Sequence, residues 1–316
     1  MADDNEIKRL SEEVKNLIAA TKSNYETALR LQERLNNLMN AGKNSITGEQ
    51  QEMVTQQQSS SPVFSATQGD STDQRERKIS MGNEKIDELL TGGIRVGSGV
   101  VLIGPPFSGK YVLAWNFIAQ SLKESIPVVV VTTDKDINEI KYQVGKIYPA
   151  VDEAEINGFL KFIDIYSRSI QSQSPSKYAT VIDSITNISS LLKNIDQIGT
   201  EIRKKYPFYR LLFTSLTSYA TELDEKLLLK FVQQFSQKRK SENCVSLYLM
   251  EAAVFDKKLI EAVAYLVDGM IEFKNEASKS FLKVTGLGNV RSRDWIEIYT
   301  NDTSFDLGSF TLEKIR

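Results

Sequence analysis

The 316 residues include 41% hydrophobic and 25% charged side chains with a net charge of −2, the balance expected of one or two soluble domains with an ordinary core. The single cysteine, Cys244, cannot close an internal disulfide, and the lack of histidine excludes a Ser-His-Asp triad, a His-carboxylate iron site and a His-bearing zinc site. The near-zero charge argues against a nucleic-acid partner, no apolar run is long enough for membrane insertion, and residues 1–10 are too charged for a secretory signal, so a cytoplasmic location is expected.

From Ile7 to Leu38 the chain keeps a seven-residue register, in which Ile7, Val14, Thr21, Ala28 and Leu35 alternate with Leu10, Leu17, Asn24, Leu31 and Leu38. This seam predicts a coiled-coil helix over residues 1–40, about 50 Å long. So narrow a stripe needs another helix to cover it, which predicts self-association or docking on a protein partner. The alternative, a helix folded back on its own domain, would usually show a wider apolar face. Residues 41–77 are rich in Gln, Ser, Thr and Gly and hold too few large apolar groups to offset the entropy of ordering. They predict a disordered linker whose ends lie on the order of 30 Å apart.

Residues 78–316 alternate short β-branched runs with helical stretches, the pattern of an α/β domain with a mostly parallel sheet. Strands are expected at 99–103, 128–132, 160–166, 209–215, 245–250 and 270–273, with helices between most of them, and a late antiparallel hairpin or meander at 280–286 and 295–300.

The first of these strands runs into Gly104, Pro105, Pro106, Phe107, Ser108, Gly109, Lys110 and Tyr111, a GxxxxGK spacing between a strand and an amphipathic helix. Glycines at both ends let backbone N–H groups turn inward, the helix N-terminus adds positive partial charge, and Lys110 can reach the β and γ phosphates. Trp115 and Phe117, in the following helix, read as core residues, and Cys244 as a buried thiol.

With Ile86-Asp87-Glu88-Leu89-Leu90-Thr91-Gly92-Gly93-Ile94-Arg95-Val96-Gly97 upstream, this stretch resembles the entry and phosphate loop of KaiC and KaiC-like proteins of the RecA/RadA group. Leu266-Val267-Asp268-Gly269-Met270-Ile271-Glu272-Phe273 and Phe281-Leu282-Lys283-Val284-Thr285-Gly286 are similar to later strands of that family. The resemblance covers most of 78–316. It implies a RecA-like core with helices on both faces that binds ATP between subunits of a homo-oligomer, often a hexameric ring.

Several catalytic positions depart from the family. Hydrolysis needs a loop hydroxyl on Mg²⁺, a metal-side acid, a group that polarises water and a cation on the developing charge. The residue after Lys110 is Tyr111 rather than Ser or Thr, so Mg²⁺ loses one ligand. For the metal-side acid there are two threadings. Asp183, in Ala179-Thr180-Val181-Ile182-Asp183-Ser184, resembles the family string, but little chain separates it from the preceding strand for a parallel crossover. The favoured threading uses the strand at 209–215 and puts Thr214 where the family has Asp. Asp134 matches one member of the family's acidic pair, Lys135 replaces the other, and Asp136 reads as a helix cap. Of the basic residues that the resemblance places against a neighbour's phosphates, Lys283 remains, and Arg291 and Arg293 lie close by.

The reading these departures favour is a KaiC-like ATP-binding protein with weak or absent hydrolysis, acting as a regulatory or scaffold component through its coil. The alternatives are an active Mg²⁺-dependent ATPase switch that uses Asp183 and Asp134, and, least favoured, a RadA-like recombination ATPase.

Overall fold

Strands buried on both faces show as nearly continuous apolar runs, and Val128–Thr132, Gly99–Gly104 and Tyr209–Phe213, the last interrupted only by the buried Arg210, form the middle of one large sheet. The computed structural model describes residues 77–309. The coiled coil expected at 1–40 and all but the last residue of the linker expected at 41–77 lie outside the described residues.

In chain order, β1 (Lys78–Ile79) leads to α1 (Glu84–Leu89) and pairs with β2 (Ile94–Arg95). The phosphate-loop strand β3 (Gly99–Gly104) is followed by α2 (Lys110–Lys123), β4 (Val128–Thr132), α3 (Ile137–Gly145), α4 (Val151–Ile156) and β5 (Leu160–Asp164). A short α5 (Tyr166–Ser169) precedes β6 (Thr180–Val181). Then come α6 (Ile188–Arg203), β7 (Tyr209–Phe213), α7 (Leu216–Glu222), α8 (Glu225–Ser241), β8 (Cys244–Glu251) and α9 (Lys257–Tyr265). The remaining strands are β9 (Gly269–Glu276), β10 (Lys279–Gly286), β11 (Ile296–Thr300) and β12 (Phe305–Leu307).

The sheet order is β12-β11-β10-β9-β3-β8-β7-β4-β5-β6. All pairings from β9 through β6 are parallel, whereas β9 to β12 form an antiparallel extension, the meander expected at the end of the domain.

Alternate residues of each central strand enter opposite cores. Val100, Leu102, Val128 and Val130 pack with Ile86, Leu113, Phe117 and Ile140 from α1, α2 and α3. Val101, Ile103, Val129 and Val131 pack with Ile195, Tyr219, Phe231 and Val263 from α6, α7, α8 and α9. Helices therefore cover both faces of an α/β sheet, as expected of a RecA-like core. Trp115, Phe117 and Cys244 are buried.

Two strands end earlier than expected, each where a side chain captures the backbone that follows. Asp164 accepts from Ser167 N at 2.9 Å and Ser167 Oγ at 2.8 Å, which starts α5. Ser215 accepts from Ser218 N and caps α7, the first of two helices that connect β7 to β8.

Candidate functional site

β3 delivers its C-terminal end, Gly104, to a tight loop that closes on the first turn of α2. Both loop glycines have geometric reasons. A Cβ on Gly104 would stand 2.5 Å from Phe273 Cβ on β9. Gly109 has φ +86°, a conformation disfavoured for L side chains, and a Cβ there would lie 2.7 Å from Thr300 Cγ2. Phe107, with φ +58°, projects its ring into solvent at 97% exposure, so it does not fill the space inside the loop. Ser108 Oγ is buried without a hydrogen-bond partner among the described residues. A glycine-lined cradle with an unspent hydroxyl and a lysine at its helix end fits a phosphate group.

Lys110 is 1% exposed. Its Nζ donates to Pro105 O at 2.9 Å and Gly104 O at 3.3 Å, and pairs with the Glu251 carboxylate at 2.8 and 3.0 Å. Glu251 ends β8, the strand beside β3, and stands in register with Gly104. The sequence offered one clue to it, an acid closing the apolar run of β8, but neighbouring strands far apart in sequence hide the pairing.

The other polar centre is Asp134, just past β4. Tyr111 Oη donates to its Oδ2 at 2.9 Å, and Thr214 Oγ1 donates to its Oδ1. Thr214, fully buried at the end of β7, also accepts from Thr133 N at 3.1 Å. Burial raises the Asp134 carboxyl above the usual aspartate range, and the hydrogen bonds from Thr214 and Tyr111 and the charge of Lys135 oppose the rise. Burial and the neighbouring Asp134 raise the Tyr111 phenol. Lys135 Nζ lies 4.6 Å from the Tyr111 ring centroid and Lys110 Nζ 5.3 Å from it. Asp136 caps α3 by accepting from Asn138 N at 2.7 Å.

These residues do not fit a magnesium ion. Tyr111 stands at the loop-hydroxyl position and donates to Asp134, Thr214 ends the strand two places from β3, and Asp134 has both oxygens engaged.

Asp183 is elsewhere. It follows β6, the edge strand that pairs with β5, and four strands separate β6 from β3. At strand spacing this is on the order of 24 Å. Its side chain is 87% exposed and 3.7 Å from Arg168. The structure thus gathers residues 104–111, Asp134 and Thr214 at one end of the sheet and leaves Asp183 outside the cluster, because the polar string that resembled a central strand forms the edge.

Lys283 lies on β10 opposite Glu272 of β9. Arg291 pairs with Glu88 of α1 at 2.9 Å, and Arg293 donates to Gly288 O at 2.9 Å. Both arginines are engaged within the chain.

A family model described as "ATPase: KaiC" matches residues 79–294. UPF0273 protein MK0039 of Methanopyrus kandleri is 30% identical over 129 residues, a match spanning 40% of this chain and 50% of the relative. UPF0273 protein PH0284 of Pyrococcus horikoshii is 22% identical over 197 residues, 62% of this chain and 77% of the relative. The crystal structure of the KaiC-like protein PH0186 from Pyrococcus horikoshii shares the fold. It has a TM-score of 0.58 and 17% identity, with 74% of this chain and 99% of that one covered.

Proposed function

The chain belongs to the KaiC ATPase family, and on that premise we propose that it holds ATP at residues 104–111, splits it weakly or not at all, and serves as a regulatory or scaffold component. The observation that carries this reading is the closed hydrogen-bond set in which Tyr111 and Thr214 occupy both oxygens of Asp134. An acid engaged in this way is poorly placed to hold the water shell of a metal or to polarise an attacking water. Each lost catalytic interaction commonly costs one to several orders of magnitude in rate, so their combination leaves little turnover. Binding depends on other groups, the glycine-lined cradle and Lys110.

In this reading the coil expected at 1–40 joins the domain to a protein partner or to further copies of itself, in the cytoplasm. Subunits associate as a homo-oligomer in which Lys283 faces a neighbour's phosphates, and Arg291 and Arg293 can join it only by releasing Glu88 and Gly288 O. Among the described residues no helix is long and apolar enough to cross a membrane.

A thermal-shift titration with ATP, with and without Mg²⁺, tests the reading. A ligand at one hundred times its Kd stabilises by about 2.7 kcal/mol. The expected result is a rise in melting temperature that needs Lys110 and changes little when Mg²⁺ is chelated. No rise with ATP under either condition contradicts it.

A further inference from the structure

The Lys110 ammonium has three protons, and each has an acceptor within the chain: Pro105 O, Gly104 O and the Glu251 carboxylate. Both Glu251 oxygens lie within 3.0 Å of Nζ. The lysine is almost fully enclosed, whereas the Glu251 side chain keeps 26% of its surface exposed, so the pair has one dry side and one wet side. Its position is set by the fold. Glu251 stands opposite Gly104 across the β3–β8 ladder, and its backbone N–H donates to Thr217 Oγ1 of α7 at 2.9 Å. A carboxylate so held offers Lys110 what a phosphate would, a negatively charged oxygen acceptor for a charge-assisted hydrogen bond.

We propose that Glu251 is an internal counter-ion that competes with the terminal phosphates of a nucleotide for Lys110, and that it thereby sets both affinity and the preference for phosphate number. The inference rests on the nucleotide-binding reading above and adds a regulatory residue to that site. A triphosphate must either displace Glu251 from the lysine or share it, and an uncancelled carboxylate beside the phosphates repels them. The penalty falls on the phosphates near Lys110 and spares a nucleoside monophosphate, whose phosphate stops short of it. A glutamate that only neutralised a buried lysine would affect stability without this dependence on phosphate number.

Calorimetric titration of the full chain with ATP, ADP and AMP, using wild type, Glu251→Gln, Glu251→Ala and Lys110→Ala, provides the test. Either Glu251 substitution is expected to tighten ATP binding by at least about tenfold, ADP by less and AMP not at all. Two substitutions of different size guard against one of them failing to fold, and unfolding curves report which are native. Lys110-dependent ATP binding in wild type that neither Glu251 substitution strengthens overturns the inference and leaves the nucleotide-binding reading intact. Equal gains for ATP and AMP also overturn it. ATP binding by none of the proteins overturns the inference and that reading together.

Discussion

Tyr111 donates a 2.9 Å hydrogen bond to Asp134, so the first side chain after the phosphate-loop lysine is committed to an acid at the end of β4. Where a short hydroxyl would face the loop, a rigid ring carries its oxygen outward to the end of β4, three places along the sheet from β3.

Removing that hydroxyl yields a pH-dependent loss of stability. Burial raises the Asp134 carboxyl above its unfolded value, and its bonds to Thr214 and Tyr111 limit the rise. The stability tied to such a raised group is fully present below the unfolded pKa and is lost as pH rises through the folded one. Tyr111→Phe raises the folded value further. Urea unfolding is expected to show a loss of about 1–2 kcal/mol at neutral pH and a smaller one near pH 4.

Thr214→Asp, which restores the acid that the family resemblance leads one to expect, is predicted to be harmful. Thr214 is fully buried and hydrogen-bonded to Asp134, so the new carboxylate meets an existing one away from water. A loss of about 3 kcal/mol in urea unfolding is expected, as for other uncompensated buried charges.

Gly109→Ala acts on the loop itself. The positive φ and the 2.7 Å approach of Thr300 Cγ2 together predict a loss of more than about 1 kcal/mol in unfolding, accompanied by loss of the ATP-dependent rise in melting temperature.

Cys244 serves as an unfolding reporter. Burial pushes its thiol up to about 12, and the side chain has no solvent exposure. Iodoacetamide is expected to modify it only at the rate of global or local opening, slowing further when the protein is stabilised by ATP. Rapid stoichiometric alkylation of native protein contradicts this placement.

The central strands were legible because burial on both faces leaves a nearly continuous apolar run, as in Val128–Thr132, or in Tyr209–Phe213 where the buried Arg210 is the one charged residue. The phosphate loop was legible because its spacing sits between such a strand and an amphipathic helix. β6 was not, because a two-residue, half-buried edge strand leaves no periodic signal. Asp183 drew attention by its local string, and only the sheet order shows how far from β3 that string lies. The Lys110–Glu251 pair was hidden for a related reason. It depends on β8 lying beside β3, a long-range pairing that no local pattern encodes. The bond from Tyr111 to Asp134 was likewise out of reach, since it requires knowing where the end of β4 stands relative to the first turn of α2.

Phosphate release from ATP, measured for the full chain in Mg²⁺ beside Lys110→Ala, tests most directly whether this site retains a nucleotide without splitting it. A wild-type rate at or only slightly above that of Lys110→Ala is the predicted result. Magnesium-dependent release in wild type on the order of 1 turnover per second or faster, abolished by Lys110→Ala, contradicts the account.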